Sequence, residues 1–289
     1  MEKTELFDIK ISDVSATLFL TLYSRALESL SKNPILYDEK AIELMQKLNQ
    51  ELSKSKNKLL YRLSKGKLNR NLIAHISIRA KKYDEYVRNF LSQSPNSIVV
   101  NIGCGLDTRF WRIDNGKTLF YDLDLPEVIE IKKHFFNESD RYRFIASSVL
   151  DYDWMSLLTP HKMNPILFIA EGVFMYLNKE DVKSLVLKLQ SQFPGSELVC
   201  EVCRDIWVRE PFRSMVSFKM QKQLLLGKGV VYSFGIRDSK EIEEWNPGIK
   251  LLDEWSYFDS SEKKLGWLRL FRGIDLFRKT QYTVHYKLG

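Results

Sequence analysis

Cysteine is scarce in this sequence, and the few cysteines do not form the pattern of a disulfide framework. Cys104, Cys200 and Cys203 are odd in number and fall in expected strands or a glycine turn rather than in loops. A small secreted fold held by disulfides is therefore excluded, and free thiols in a reducing compartment predict a cytoplasmic protein. A redox or metal pair at Cys200 and Cys203 is disfavoured, because these side chains would face opposite ways on a strand.

Long hydrophobic runs are also missing. The longest apolar stretch, Ile166–Leu177, is interrupted by Glu171 and is too short to span a bilayer. The first residues are acidic and lack the basic start and apolar core of a secretory signal, so we expect none. We accordingly expect no membrane partner.

Internal repeats and low-complexity segments are absent, and a hydrophobic content of 44% suffices for a sizeable core. We expect one α/β domain with insertions.

The formal net charge of +7 matters only where it is concentrated in one region. Ser53–Arg70 holds seven Lys or Arg with no acidic residue. A solvated helix face is the simpler interpretation, and a patch that attracts acidic substrates or nucleic acid is the alternative. We expect no nucleic-acid partner.

A short strand followed by two glycines is the most informative stretch. Ser97–Ile102 is mostly β-branched, Gly103 and Gly105 follow at once, and Asp107–Ile113 is amphipathic. This order predicts a buried strand, a tight turn and a helix start, as in a doubly wound sheet. A Cβ in such a turn would block positive φ and keep a ligand from the backbone. The turn predicts a bound nucleotide, and glycines needed only for the backbone are the alternative.

A second expected strand, Lys117–Asp124, ends in carboxylates. Asp122 and Asp124 follow the glycines by about 20 residues, the position of a ribose-binding carboxylate in nucleotide-binding sheets. The third glycine of the dinucleotide fingerprint is missing, because Thr108 takes its place. A ligand with a ribose and no phosphates therefore fits better, and S-adenosylmethionine is such a ligand.

Hydrophobic periodicity predicts the other elements. A segment from Arg204 to Ser239 interrupts the pattern with two helical stretches, Trp207–Phe218 and Met220–Leu226, where we expect a substrate lid or an ordinary packing pair. The last strand alternates, which favours an antiparallel edge hairpin. Helices are expected from Ser12 to Leu30, from Asp38 to Leu52, from Ile76 to Phe90, over Pro126–Phe136, after Asn178 and over Asp238–Trp245, and further strands over Tyr142–Ser147, Asn164–Glu171, Glu197–Cys203, Ile249–Phe258 and Gln281–Lys287.

Two charged residues stand out within these patterns. Glu171 ends the fourth strand, where open α/β sheets bind ligands, which favours a functional role. Arg79 lies on the apolar face of the third helix, from which it either extends to solvent or reaches into a site.

Three motifs lie at the expected strand ends, namely Gly103-Cys-Gly-Leu-Asp-Thr-Arg109, Tyr121-Asp-Leu-Asp-Leu-Pro126 and Ala170-Glu-Gly-Val-Phe-Met-Tyr176. They resemble those of the leucine carboxyl methyltransferase family, which includes the tetracenomycin-type polyketide O-methyltransferases. The resemblance runs from about Arg25 to the C-terminus. It implies the α/β, Rossmann-like fold of class I S-adenosylmethionine-dependent methyltransferases, with a seven-stranded, mostly parallel sheet, an antiparallel last strand, N-terminal helices and an inserted helical lid. We expect one domain, 1–289, made of a helical extension (1–95), a cofactor-binding core (96–203), a lid (204–240) and C-terminal strands (241–289).

The resemblance also implies the residues that bind the cofactor, S-adenosylmethionine. Asp124 would hold the ribose, Arg79 the carboxylate of the methionine part and Glu171 its ammonium group. Ser148 departs from the acidic residue that commonly holds the adenine amino group, although its hydroxyl can still accept a hydrogen bond. Tyr176, the catalytic candidate, would line the pocket where donor and acceptor meet, or else pack in the core. The cofactor set is Arg25, Arg79, Asn101, Gly103, Gly105, Asp124, Ser148, Val149 and Glu171.

We therefore expect an O-methyltransferase that acts on a carboxyl or hydroxyl group of a small molecule, polyketide-like or another acid or phenol. A carboxylate is already ionised at neutral pH, whereas a hydroxyl would benefit from a base, and none of the four histidines identifies one. The resemblance assigns Asp124 to the ribose, which argues against a metal site at Asp122, Asp124 and Asp151. The alternatives are a protein or tRNA acceptor, and a cofactor-binding module without turnover.

Overall fold

The computed structural model describes residues 13–161, 163–224 and 231–289, which build a seven-stranded sheet. The strands are β1 (Ile98–Ile102), β2 (Leu119–Asp124), β3 (Tyr142–Ala146), β4 (Ile166–Ala170), β5 (Ser196–Val202), β6 (Ile249–Trp255) and β7 (Tyr282–Leu288). Their order is β3-β2-β1-β4-β5-β7-β6. β1 to β5 pair in parallel, and β7 pairs antiparallel with both β5 and β6, so only the last strand is reversed, as predicted.

Helices precede the sheet and connect its strands. The α-helices are α1 (Asp13–Ser29), α2 (Glu39–Leu52), α3 (Lys58–Ser64), α4 (Arg70–Gln93), α5 (Arg109–Ile113), α6 (Pro126–Lys133), α7 (Lys179–Gln192), α8 (Phe212–Leu224) and α9 (Asp275–Arg278). Short 3-10 helices are Tyr152–His161, Phe174–Tyr176, Asp205–Val208, Glu241–Trp245, Tyr257–Asp259 and Lys263–Gly273. None of the helices in the described ranges combines the length and apolar character needed to cross a membrane.

Local signals explain where the main helices lie. Asp38, Asn69 and Asn178 cap α2, α4 and α7, because the side-chain oxygen of each accepts a hydrogen bond from a backbone amide in the first turn. The apolar stripe of α4, which steps from Ile76 to Phe90, is buried as its spacing predicted. The expected helix start at Ser12 lies outside the described residues.

Alternate residues of the central strands enter two cores. Val99 of β1 packs with the N-terminal helices, whereas Ile98 and Val100 pack with α7 and the C-terminal strands. Every residue of β1 and β4 is buried, as expected for parallel strands covered on both faces. The carboxyl ends of the parallel strands meet at one edge of the sheet, and this edge holds the candidate site.

Several predictions for the C-terminal half are wrong. β7 lies between β5 and β6 instead of at the edge, because both sides of its backbone are paired. The first lid helix starts at Phe212, since Pro211 lacks the amide that a helix continuing from Trp207 would need. α8 then runs through the break expected between the two lid helices, and Leu226 lies outside the described residues. The helix expected over Asp238–Trp245 is a 3-10 helix from Glu241.

Candidate cofactor site

The glycine turn after β1 has the backbone that the sequence predicted. Gly103 and Gly105 have φ of +64° and +49°, the left-handed region that favours glycine. Neighbouring side chains impose a second requirement. A Cβ on Gly103 would lie 2.3 Å from Cγ2 of Val173, and one on Gly105 would lie 2.8 Å from Cδ2 of Leu18. Both glycines are therefore needed for close packing as well as for the turn itself.

Asp124 ends β2 next to this turn. Its Oδ2 accepts a hydrogen bond from the Gly105 amide at 2.7 Å, and its Oδ1 accepts one from the Leu125 amide at 2.8 Å. Burial raises the pKa of this carboxyl, and the two amides partly offset the rise. Asp124 is only half-buried, so part of the residue is open to a ligand at the sheet edge.

Asp122, two residues earlier, supports the turn from below. It is 1% exposed, pairs with Lys132 at 2.9 Å, and accepts hydrogen bonds from the Tyr142 hydroxyl at 2.5 Å and from Nδ2 of Asn101 at 2.9 Å. Lys132 also donates to two carbonyl oxygens of the turn. Asn101 donates to Asp122 and to Asp107, and a contact of Asn101 with the cofactor stays a prediction.

Glu171 follows β4 directly and lies between two arginines. Its Oε1 is 2.8 Å from Nε of Arg79, and its Oε2 is 2.6 Å from Nη2 of Arg109. Burial alone would raise the pKa of Glu171, but the two guanidinium groups outweigh burial and hold the pKa below its usual range.

Arg79 is turned into the sheet edge. A second nitrogen of its guanidinium, Nη1, pairs with Oε2 of Glu201 on β5 at 2.9 Å, and 13% of the side chain is exposed. These contacts exclude the alternative that Arg79 extends from its helix to solvent. Glu201 also accepts hydrogen bonds from the Gly172 amide and the Gln281 side chain.

Several charged residues around Glu171 and Arg79 had no role predicted from the sequence. Arg109 is 1% exposed and pairs with Asp84 at 2.8 Å and with Asp107 at 2.6 Å, in addition to Glu171. Arg109 and Asp107 belong to the glycine motif itself, so their residue types were visible in the sequence. Glu201 interrupts the apolar strand Val-Cys-Glu-Val, a signal of the same kind as the one that identified Glu171.

Arg25 of α1 is buried and connects that helix to the glycine turn. Its Nε is 3.0 Å from Oδ2 of Asp38, and its Nη2 donates to the Leu106 carbonyl at 3.0 Å. Nη2 is also 3.9 Å from Oδ1 of Asp107. The described contacts hold α1 against the turn, and a contact of Arg25 with the cofactor stays a prediction.

The loop after β3 carries Ser148 and Val149. It begins beside Asp124, whose backbone carbonyl accepts the first amide of the loop at 2.9 Å. The Ser148 hydroxyl accepts a hydrogen bond from the Leu150 amide at 3.2 Å, and the Val149 carbonyl accepts one from Nε1 of Trp154 at 3.2 Å. The loop is therefore ordered by its own contacts next to Asp124, and its contact with adenine stays a prediction.

Tyr176 ends the 3-10 turn that follows Glu171. Its ring meets that of Tyr232 edge to face, with centroids 5.6 Å apart, and 42% of the residue is exposed, which argues against a core-packed aromatic. Desolvation of the hydroxyl raises the pKa of Tyr176 to about 12, so the phenol is protonated at neutral pH. The Ser233 amide donates to the Met175 carbonyl at 2.8 Å, so the segment after α8 packs over this turn.

Carboxylates outnumber cations at this edge of the described chain. The carboxylates are those of Asp38, Asp84, Asp107, Asp122, Asp124, Glu171 and Glu201, and the cations are Arg25, Arg79, Arg109, Arg112 and Lys132. A ligand with net positive charge would balance the excess, whereas a diphosphate would be repelled. In the described ranges, no group of three or more His, Cys, Asp or Glu side chains is arranged to hold a metal ion.

Comparisons with known proteins agree with this architecture. The chain is 29% identical to the tetracenomycin polyketide synthesis O-methyltransferase TcmP of Streptomyces glaucescens, over 87% of this chain and 86% of that protein. It is 23% identical to the S-adenosyl-L-methionine-dependent methyltransferase dpfgK of Gibberella zeae, over 93% and 92%. A DUF574 family protein from Streptomyces avermitilis has a similar fold, with a TM-score of 0.55 at 12% identity over 92% of this chain and 97% of that one. Because residues 19–190 match the family model described as leucine carboxyl methyltransferase, the chain belongs to that family, as its motifs predicted.

Proposed function

We propose that this chain transfers the methyl group of S-adenosylmethionine to a carboxyl or hydroxyl oxygen of a small molecule. As a member of its family, the chain is an S-adenosylmethionine-dependent methyltransferase. The observation that carries the proposal is the carboxylate-rich sheet edge, where Asp124 ends β2 and Glu171 follows β4, the two strands on either side of β1. The donor has a sulfonium and an ammonium against a single carboxylate, so it adds net positive charge there.

The methionine part of the donor needs a partner for each of its charges, because burying either one unpaired would cost several kcal/mol. Glu171 would bind the ammonium and Arg79 the carboxylate. These two residues pair with one another, so the donor must insert into an existing ion pair. Arg109 and Glu201 make that exchange feasible. When the donor separates Arg79 from Glu171, Glu171 still has its ion pair with Arg109, and Arg79 still has its ion pair with Glu201.

Methyl transfer from a sulfonium is an in-line displacement, so the residues of the chain mainly align the acceptor and exclude water. The acceptor oxygen bonds to the methyl carbon while the carbon–sulfur bond breaks and its electron pair stays on sulfur, which leaves S-adenosylhomocysteine. A carboxylate acceptor enters already ionised, whereas a hydroxyl must lose its proton. Tyr176, protonated at neutral pH, would donate the hydrogen bond that orients the acceptor.

Transfer of a labelled methyl group to a panel of small aromatic acids, aliphatic acids and phenols tests the proposal. We expect transfer to at least one acceptor, and calorimetry should show binding of S-adenosylhomocysteine but not of NAD. Binding of NAD in place of S-adenosylhomocysteine would refute the donor. Transfer only to protein or tRNA would refute the small-molecule acceptor, and binding without any transfer would favour a cofactor-binding module.

A further inference from the structure

One face of the described chain combines positive charge with exposed apolar side chains. Lys65 and Lys67, in the turn from α3 to α4, are exposed, and so is Arg70, the first residue of α4. Arg269 is exposed in the excursion of residues 256–281 between β6 and β7. None of these four cations forms an ion pair with another residue that the structure describes. Trp267 and Leu270 of the same excursion are 64% and 81% exposed. We call these six residues the basic apolar face.

The two segments of the face are adjacent across the end of α1. Leu27 lies against the turn, where a Cβ on the turn glycine would be 3.5 Å from its Cδ2. The next residue, Glu28, forms an ion pair with Lys264 of the excursion. Leu265 packs with Ala74, one helical turn into α4. The two segments that carry the basic apolar face therefore lie next to each other.

The excursion lies at the same end of the sheet as the candidate site. β6 runs parallel to the central strands, so the excursion leaves the sheet at the edge that holds Asp124 and Glu171. Its last part also contacts the start of the lid segment, where the Arg204 amide donates to the Lys279 carbonyl at 3.0 Å. A partner bound to the face would therefore lie at the same end of the sheet as the candidate site.

We propose that the basic apolar face binds the surface of an anionic lipid membrane. Elements that lie on membranes combine Lys and Arg with Trp, Phe or Leu, and Trp favours the level of the headgroups. Each cation near an anionic surface adds to the attraction. This binding is peripheral and needs no spanning helix, and it departs from the expectation from the sequence that no membrane partner is involved. It does not depend on the proposed function.

Two other occupants fit the face less well. A second copy of the chain, related by two-fold symmetry, would place the same cations against each other. Because these cations have no ion-pair partner among the described residues, they would repel. Nucleic acid would use the cations and could stack a base on Trp267, but Leu270 offers no face for stacking. An anionic membrane uses both the charge and the aliphatic side chain.

Sedimentation of the full chain with phosphatidylserine-containing vesicles tests the proposal. We expect binding to these vesicles and much weaker binding to pure phosphatidylcholine. The triple variant Lys65→Glu, Lys67→Glu, Arg269→Glu should reduce binding by about tenfold or more, and Leu270→Ser by about threefold. Lys67→Glu alone should reduce binding by about threefold or more. Lys117→Glu is its matched control, since Lys117 is an exposed lysine before β2, at the opposite edge of the sheet, and this variant should bind like the wild type.

Calorimetry with S-adenosylhomocysteine monitors the fold, and each variant should keep its affinity within about twofold, because the face lies outside the site. Failure of the wild type to bind phosphatidylserine vesicles would overturn the proposal, as would equal binding of the wild type and the triple variant. Displacement from the vesicles by a short RNA, or a dimer that Leu270→Ser dissociates in the absence of vesicle binding, would assign the face to those partners instead.

Discussion

Asp124 and Asp122 are two residues apart on β2, but their substitution should affect different properties. Loss of Asp124 should lower the affinity for the cofactor, whereas loss of Asp122 should lower the stability of the fold. Asp124→Ala removes a half-buried carboxylate whose oxygens face the sheet edge beside the glycine turn. If both oxygens accept the ribose hydroxyls, the variant leaves two donors of the bound ligand unpaired, at a cost of about 2–3 kcal/mol of binding free energy. The affinity for S-adenosylhomocysteine should then fall by roughly 30-fold to 150-fold. The free energy of unfolding should change by about 1 kcal/mol or less, because water can reach the two amides.

Asp122→Ala should instead destabilise the fold. The carboxylate is 1% exposed and the side chain of its partner Lys132 is fully buried, so the variant leaves an uncompensated cation beneath the turn. Breaking a buried pair in this way costs about 3–5 kcal/mol of the free energy of unfolding. The protein that remains folded should bind S-adenosylhomocysteine nearly as the wild type does. The double variant Asp122→Ala, Lys132→Met removes both charges and should recover part of the lost stability.

Urea unfolding followed by tryptophan fluorescence measures the stability difference, and calorimetry measures affinity at a temperature where every variant is folded. If folded Asp122→Ala loses as much affinity as Asp124→Ala, the ribose is not held by Asp124 alone. If Asp122→Ala has wild-type stability, the ion pair with Lys132 does not support the turn.

Three further predictions follow from the site. Arg79→Ala and Glu171→Ala should each weaken S-adenosylhomocysteine binding by about tenfold or more, while calorimetry shows adenosine affinity nearly unchanged; a matching loss for adenosine would contradict the assignment of both residues to the methionine part. Tyr176→Phe should lower kcat by about tenfold without changing donor affinity, and because the pKa of Tyr176 is raised to about 12, the wild-type rate should show no loss from its deprotonation up to about pH 10; such a loss at lower pH would contradict the raised pKa. Gly103→Ala should lower Tm more than Gly116→Ala, since φ is positive at both, but only Gly103 has a side chain within 4 Å of the new Cβ; the reverse order would show that Val173 moves aside.

Local patterns were enough to place the main elements. The period of apolar residues placed α4, the capping residue Asn178 placed the start of α7, and the β-branched run before Gly103 placed β1. These signals work because helix and strand periodicity, caps and tight turns depend on residues a few positions apart. The motifs at the strand ends identified the family and with it the cofactor, since each motif is a continuous stretch of chain.

The sequence by itself thus determined most of the elements, their mostly parallel sheet and the family, whereas only the tertiary structure decided which strands and charges meet. Nothing local to β7 shows that it inserts between β5 and β6. Arg79 and Glu171 are 92 positions apart, so no sequence spacing could reveal their ion pair. The same is true of the second ion pair that each of them forms, Glu171 with Arg109 and Arg79 with Glu201. Strand order and buried ion pairs depend on the path of the whole chain, because they join groups that come close only once the sheet has formed.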